Sequence, residues 1–204
     1  MASAVTELYQ VVDRVEALVG LYRGLTRVGR PRRPLSDLLR GALILGLSGL
    51  DAFVHGSVTR TAGRAERLAM LGSVAQRWVN RDLIIAAMPQ GKARRAAVRN
   101  LIDGKIQKTT FQRPEHIEEA LAHIGVPSPW NDVATKLSTS VDPITPEEVT
   151  RRLSEMVDRR DQIAHHGDRY RHGLRPIRAE YVEDCAWLLL GLAEGIATSI
   201  ARAV

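Results

Sequence analysis

The chain has 204 residues, 45% of them hydrophobic and only 4% aromatic, with a single cysteine, Cys185. That length suits one domain with a core of Leu, Ile, Val and Ala, a composition that favours helices over a sandwich or barrel, and one cysteine excludes an internal disulfide or a cysteine-based zinc site. The 29 basic residues against 23 acidic ones leave a net charge of +6, the balance of a protein that meets a polyanion, although an arginine excess also follows from GC-rich codons.

Val5, Leu8, Val12, Val15, Val19 and Tyr22 recur at spacings of three and four, which predicts a first helix over 4–27. Its acidic residues Glu7, Asp13 and Glu16 do not fit a secretory leader. The segment from Gly29 to Pro34 breaks this helix, and Ser36 reads as the cap of a second one over 37–60. The second helix is apolar nearly all round, as a central helix is, and Gly41, Gly46 and Gly49 leave room for neighbours to approach. Its strongest apolar run, Gly41 to Leu50, is too short to span a bilayer, so a cytoplasmic protein without a membrane partner is expected.

One or two further helices are predicted over 64–88, and a basic one from Lys92 to Lys108. A short helix follows over 115–124, closed by Gly125, and Ser128-Pro129 reads as the start of another. Thr145-Pro146-Glu147-Glu148 has the pattern of a capping box and opens a helix that runs to His165 or His166. Gly167-Asp168 ends it, a basic loop covers 169–175, and the last helix opens at Pro176 or Ile177. No segment reads as a strand, and no phosphate-binding glycine loop, Cys-x-x-Cys or His-Glu-x-x-His is present. Cys185 lies in an apolar helical run and reads as core filler.

The chemistry concentrates in Arg159-Arg160-Asp161-Gln162-Ile163-Ala164-His165-His166. Histidine exchanges protons near neutral pH, and arginine grips phosphate oxygens as negative charge builds on them. Those are the needs of RNA transesterification, in which the 2′-hydroxyl supplies the nucleophile and neither a metal nor a cofactor is required. Arg160 and His165 stand five apart, about 140° from each other on a regular helix, whereas Arg159 and His166 share a face. Either the helix ends or deforms near His165, or a second copy completes the site. Asp51 and His55, four apart on the second helix, read as a polar support beside it. Arg169, Arg171 and Arg175 directly follow the motif and are candidates to hold RNA phosphates. Two more basic groups, around Arg23 to Arg33 and Lys92 to Lys108, read equally as solvated faces.

Three segments together, Leu50-Asp51-Ala52-Phe53-Val54-His55, Thr110 through Leu121, and Arg160-Asp161-Gln162-Ile163-Ala164-His165, resemble the HEPN superfamily, nearest its RiboL-PSP-HEPN branch. The resemblance covers residues 36–195, with 1–30 as an N-terminal helix of the same single domain. It implies an all-α helical bundle with extra helices, a homodimer, and metal-independent RNA cleavage leaving a 2′,3′-cyclic phosphate. It also implies a setting in bacterial toxin–antitoxin or antiphage defence, with an antitoxin or other defence protein as a partner. The motif residues carry over to Arg160, Asp161 and His165, and the doubled ends let Arg159 and His166 satisfy the same spacing. Some members of the superfamily are non-catalytic modules that bind RNA or a partner protein, and that is the alternative reading.

Overall fold

The computed structural model describes residues 2–26, 35–62, 109–122, 124–126 and 128–203. The helices predicted over 64–88 and 92–108, and the basic residues from Arg27 to Arg33, lie outside the described residues. Within them the chain is mainly helical: α1 (Ala2–Thr26), α2 (Ser36–Ala62), α3 (Pro114–Ala122), α4 (Trp130–Leu137), α5 (Pro146–His166) and α6 (Ala179–Ala203).

The α1 helix buries Ala4, Leu8, Val12, Val15 and Val19 as one stripe against α2 and α6. The α2 helix is the central element, with Leu39, Leu43, Leu47, Leu50, Phe53 and Val54 buried, and it meets α1, α3, α5 and α6. Its glycines divide into two kinds. A Cβ on Gly46 would lie 2.8 Å from Leu189, and one on Gly49 would lie 2.6 Å from Val11, so both let a neighbour close in. Gly41 faces open space. A second close crossing, unforeseen from the sequence, joins α4 to α6 at Gly191 and Gly195. A Cβ on Gly195 would lie 2.4 Å from the Cα of Val133, a backbone atom.

Both α2 and α6 are long and apolar enough to cross a membrane, which the ten-residue run in the sequence understated, and more than half of each apolar window is buried against the other helices. The core helix of a soluble protein has that combination too.

Local signals explain most of the element ends. Thr145 caps α5 with its hydroxyl accepting from the Glu148 amide at 3.2 Å, and Pro146 occupies the first turn. The Glu148 carboxylate turns instead to Arg151 and Arg152, whose hydrogen bonds hold it at about 2. Gly125 takes φ +84° after α3, as its cap role requires. The expected serine cap of α4 is not formed: Pro129 holds the cap position without a side-chain bond, and its carbonyl accepts from Val133. The last helix begins at Ala179, two to three residues later than expected.

The basic loop after α5 is the main correction to the strand-free expectation. It folds into a small antiparallel hairpin, β1 (Arg169–Tyr170) with β2 (Gly173–Leu174), pairing Arg169 with Leu174 and Tyr170 with Gly173. Strands of two residues have no hydrophobic alternation, so periodicity could not reveal them.

Candidate functional site

The α5 helix remains helical through His166 and stops at Gly167, whose φ of +59° lets its amide bond the Gln162 carbonyl. The helix therefore neither ends early nor deforms between Arg160 and His165. Asp158, Asp161 and His165 lie along one stripe of it, and Arg159, Gln162 and His166 along another. His165 and His166 sit exposed in the last turn, where a positive charge suits the helix dipole.

The adjacent arginines have separate surroundings. Arg159 is nearly buried and bonds the Asp168 carboxylate at 2.9 Å and the carbonyls of Arg175 and Pro176 at 3.3 Å each. A second ion-pair approach to Asp168, at 2.5 Å, has angles outside hydrogen-bond geometry. Burial pulls the Arg159 guanidinium below its usual range, against the charge of Asp168. Asp168 is itself only 2% exposed and takes a further bond from Arg40 Nε at 2.6 Å. Arg40 also donates to the Arg175 carbonyl at 2.7 Å, while the Asp168 carbonyl accepts from the Arg175 amide. Arg159 thus belongs to a buried knot that ties α2, the end of α5 and the hairpin together.

Arg160 turns the other way. Its Nη1 donates to Asp161 Oδ1 at 2.8 Å, which swings the guanidinium sideways towards the stripe that carries His165. Its Nε is buried without an acceptor among the described residues, so donors are in excess there. Asp161 also accepts from Arg113 at 3.1 Å, and Arg113 bonds Asp158 at 2.9 Å. Burial is the largest influence on Asp161 and pushes its carboxyl up, but Arg160 and Arg113 together outweigh it and hold the group below the ordinary carboxylate range. The Asp158 bond is the main reason the Arg113 guanidinium is raised.

Arg113 is the residue that single-motif reasoning missed. It lies inside a quoted segment, yet only the fold shows that it reaches Asp161. Asp51 and His55 explain how it gets there. Asp51 accepts from the Phe111 amide at 2.5 Å, His55 Nε2 sits 3.0 Å from the Thr109 carbonyl, and its ring packs 4.5 Å from that of Phe111. The two side chains stand 3.8 Å apart, so they serve the 109–111 segment more than each other. That segment leads directly into α3 and delivers Arg113 to α5. The three separated stretches therefore meet through the 109–113 segment, held to α2 at Thr109 and Phe111 and to α5 by Arg113.

A cleft of about 470 Å³ opens on the other side of α5, between it and the start of α6. Asp158, Arg159, Gln162, Arg175, Arg178 and Tyr181 are among its walls. Arg169, Arg171 and Arg175 are all exposed on or beside the hairpin. Cys185 is buried, and burial pushes its thiol up to about 12. Among the described residues no group of three or more His, Cys, Asp and Glu side chains could hold a metal ion. No protein-family model, no curated protein and no solved structure matches the chain.

Proposed function

We propose that this protein is a metal-independent endoribonuclease that cleaves RNA by attack of the 2′-hydroxyl, leaving a 2′,3′-cyclic phosphate. Arg160 binds the scissile phosphate and offsets the charge that builds in the transition state. Asp161 orients Arg160, and His165 transfers the proton as general base or acid. The observation that carries this reading is the Arg113–Asp161–Arg160 chain. It holds one arginine by a carboxylate that stays ionised, one helical turn from an exposed histidine.

The side chains of Arg160 and His165 leave a regular helix about 140° apart. In this reading the histidine that serves an Arg160-bound phosphate comes from a second copy across a symmetric cleft. The resemblance to HEPN nucleases supports the same dimer and a place in toxin–antitoxin or antiphage defence.

The test is incubation of the purified protein with RNA in EDTA. Cleavage with cyclic-phosphate ends, abolished by Arg160→Ala and by His165→Ala, is the expected result. RNA that stays intact while binding in a salt-sensitive manner would leave a non-catalytic RNA-binding module.

A further inference from the structure

The hairpin after α5 is firmly held at its base and exposed at its tip. Asp168 and Arg171 both adopt φ values in the left-handed region, +53° and +52°, which non-glycine residues rarely occupy. Such backbone persists where its surroundings over-determine it. Here Arg40 and Arg159 grip Asp168, and Arg40 and Asp168 also hold the backbone of Arg175. The knot fixes the root, and the turn projects Tyr170 with 49% of its surface exposed. Two guanidiniums flank the ring, Arg171 at 5.4 Å and Arg175 at 5.5 Å from its centroid. Arg175 at the same time lines the cleft beside α5.

An exposed aromatic ring among arginines, on a rigid mount, is the equipment for holding an unpaired base. Stacking on the ring face is tolerant of base identity, and the arginines bind the flanking phosphates. A base inside a duplex has both faces stacked on its neighbours and none free to offer. We infer that Tyr170, with Arg171 and Arg175, is a stacking platform that selects single-stranded RNA and seats a base at the hairpin, next to the cleft between α5 and the start of α6. This rests on the ribonuclease reading for its substrate class, but it concerns binding and not bond breaking. Arg171 and Arg175 hold the ring in position when the site is empty. One of them yields its place over the ring to the base and turns to the neighbouring phosphate.

The experiment measures fluorescence anisotropy of labelled 2′-O-methyl oligonucleotides in EDTA, which lack the attacking hydroxyl and so remain whole. Three probes are compared: oligo(A), an abasic oligomer of equal length, and a duplex. Wild type should bind oligo(A) about tenfold more tightly than the abasic strand, the size expected for one stacked base. Tyr170→Ala should remove that preference and leave abasic binding unchanged, while Tyr170→Phe keeps it. Unchanged helical circular dichroism of both variants checks folding. The platform is overturned by any of three results: wild type and Tyr170→Ala bind oligo(A) alike, Tyr170→Phe fails as badly as the alanine variant, or the duplex binds as well as the single strand. A wild type that prefers oligo(A) but never cuts ordinary RNA would refute the nuclease reading and leave the platform standing. A wild type that cuts RNA without any preference for bases would do the reverse.

Discussion

Two neighbouring arginines with the same side chain do different work because of what each meets. Arg159 ends on a buried carboxylate that Arg40 also needs, and its loss would leave Asp168 with fewer partners in a site only 2% exposed. Leaving a buried charge with no partner costs on the order of 3–5 kcal/mol, and because Arg40 still pairs with Asp168 the loss of Arg159 should cost less than that. Arg159→Ala should therefore unfold at clearly lower urea, whereas Arg160→Ala, with its partner Asp161 half-exposed, should unfold close to wild type yet lose RNA cleavage. Urea melts set beside cleavage assays decide this. An Arg159→Ala protein that is fully stable but inactive would exchange the two roles. Asp161 yields a second expectation. Its folded pKa lies below the ordinary carboxylate value of about 3.9, so its ion pairs are fully present above that value and are lost as pH falls through the lower one. Any ionisation in the cleavage rate between about pH 5 and 8 then belongs to another group, the range being histidine's. Asp161→Asn should lower the rate while keeping the same number of ionisations in that window. A profile that loses one would make Asp161 the titrating group.

Among elements, the close crossing of α4 on α6 is set by glycine. A methyl group at Gly195 would meet backbone atoms of Val133 at 2.4 and 2.6 Å, and backbone cannot turn aside as a side chain does. Gly195→Ala should cost about 1–3 kcal/mol, the range for overpacking a filled core. Gly41→Ala, facing open space in the second turn of α2, should instead stabilise by up to about 1 kcal/mol through helix propensity. Thermal melts of the pair give opposite signs if the crossing is as tight as its geometry. The α1 stripe, the Thr145 cap and the Gly167 stop were legible in the sequence because each depends on residues within one or two turns. The knot at Asp168 was not, since its partner Arg40 lies 128 residues away and a lone aspartate after a glycine reads as an ordinary helix stop. Arg113 was visible only as part of a segment, because its reach to Asp161 spans 48 residues. Asp51 and His55 were placed correctly on one face, but their partners on the 109–111 segment belong to tertiary structure.

At the scale of the whole molecule, the question is where the histidine of the site comes from. The α5 helix is continuous from Pro146 to His166, so no local unwinding brings Arg160 and His165 to one side. The sideways bond of Arg160 to Asp161 narrows the gap at the guanidinium without changing where the two Cα–Cβ bonds point. In the proposed two-fold dimer the arginine of one copy would face the histidine of the other, and each cleft would draw on both chains. Subunit mixing separates this arrangement from a self-sufficient protomer. Arg160→Ala and His165→Ala proteins should each be inactive alone. Mixed after unfolding and refolding, they should regain about a quarter of wild-type cleavage, because half of the randomly paired dimers are mixed and one of the two clefts in each is intact. A mixture as inactive as its parts would place both groups on one chain. Catalysis would then depend on the Arg113–Asp161 tether to carry Arg160 round the helix, and Arg113→Ala would cost nearly as much activity as Arg160→Ala.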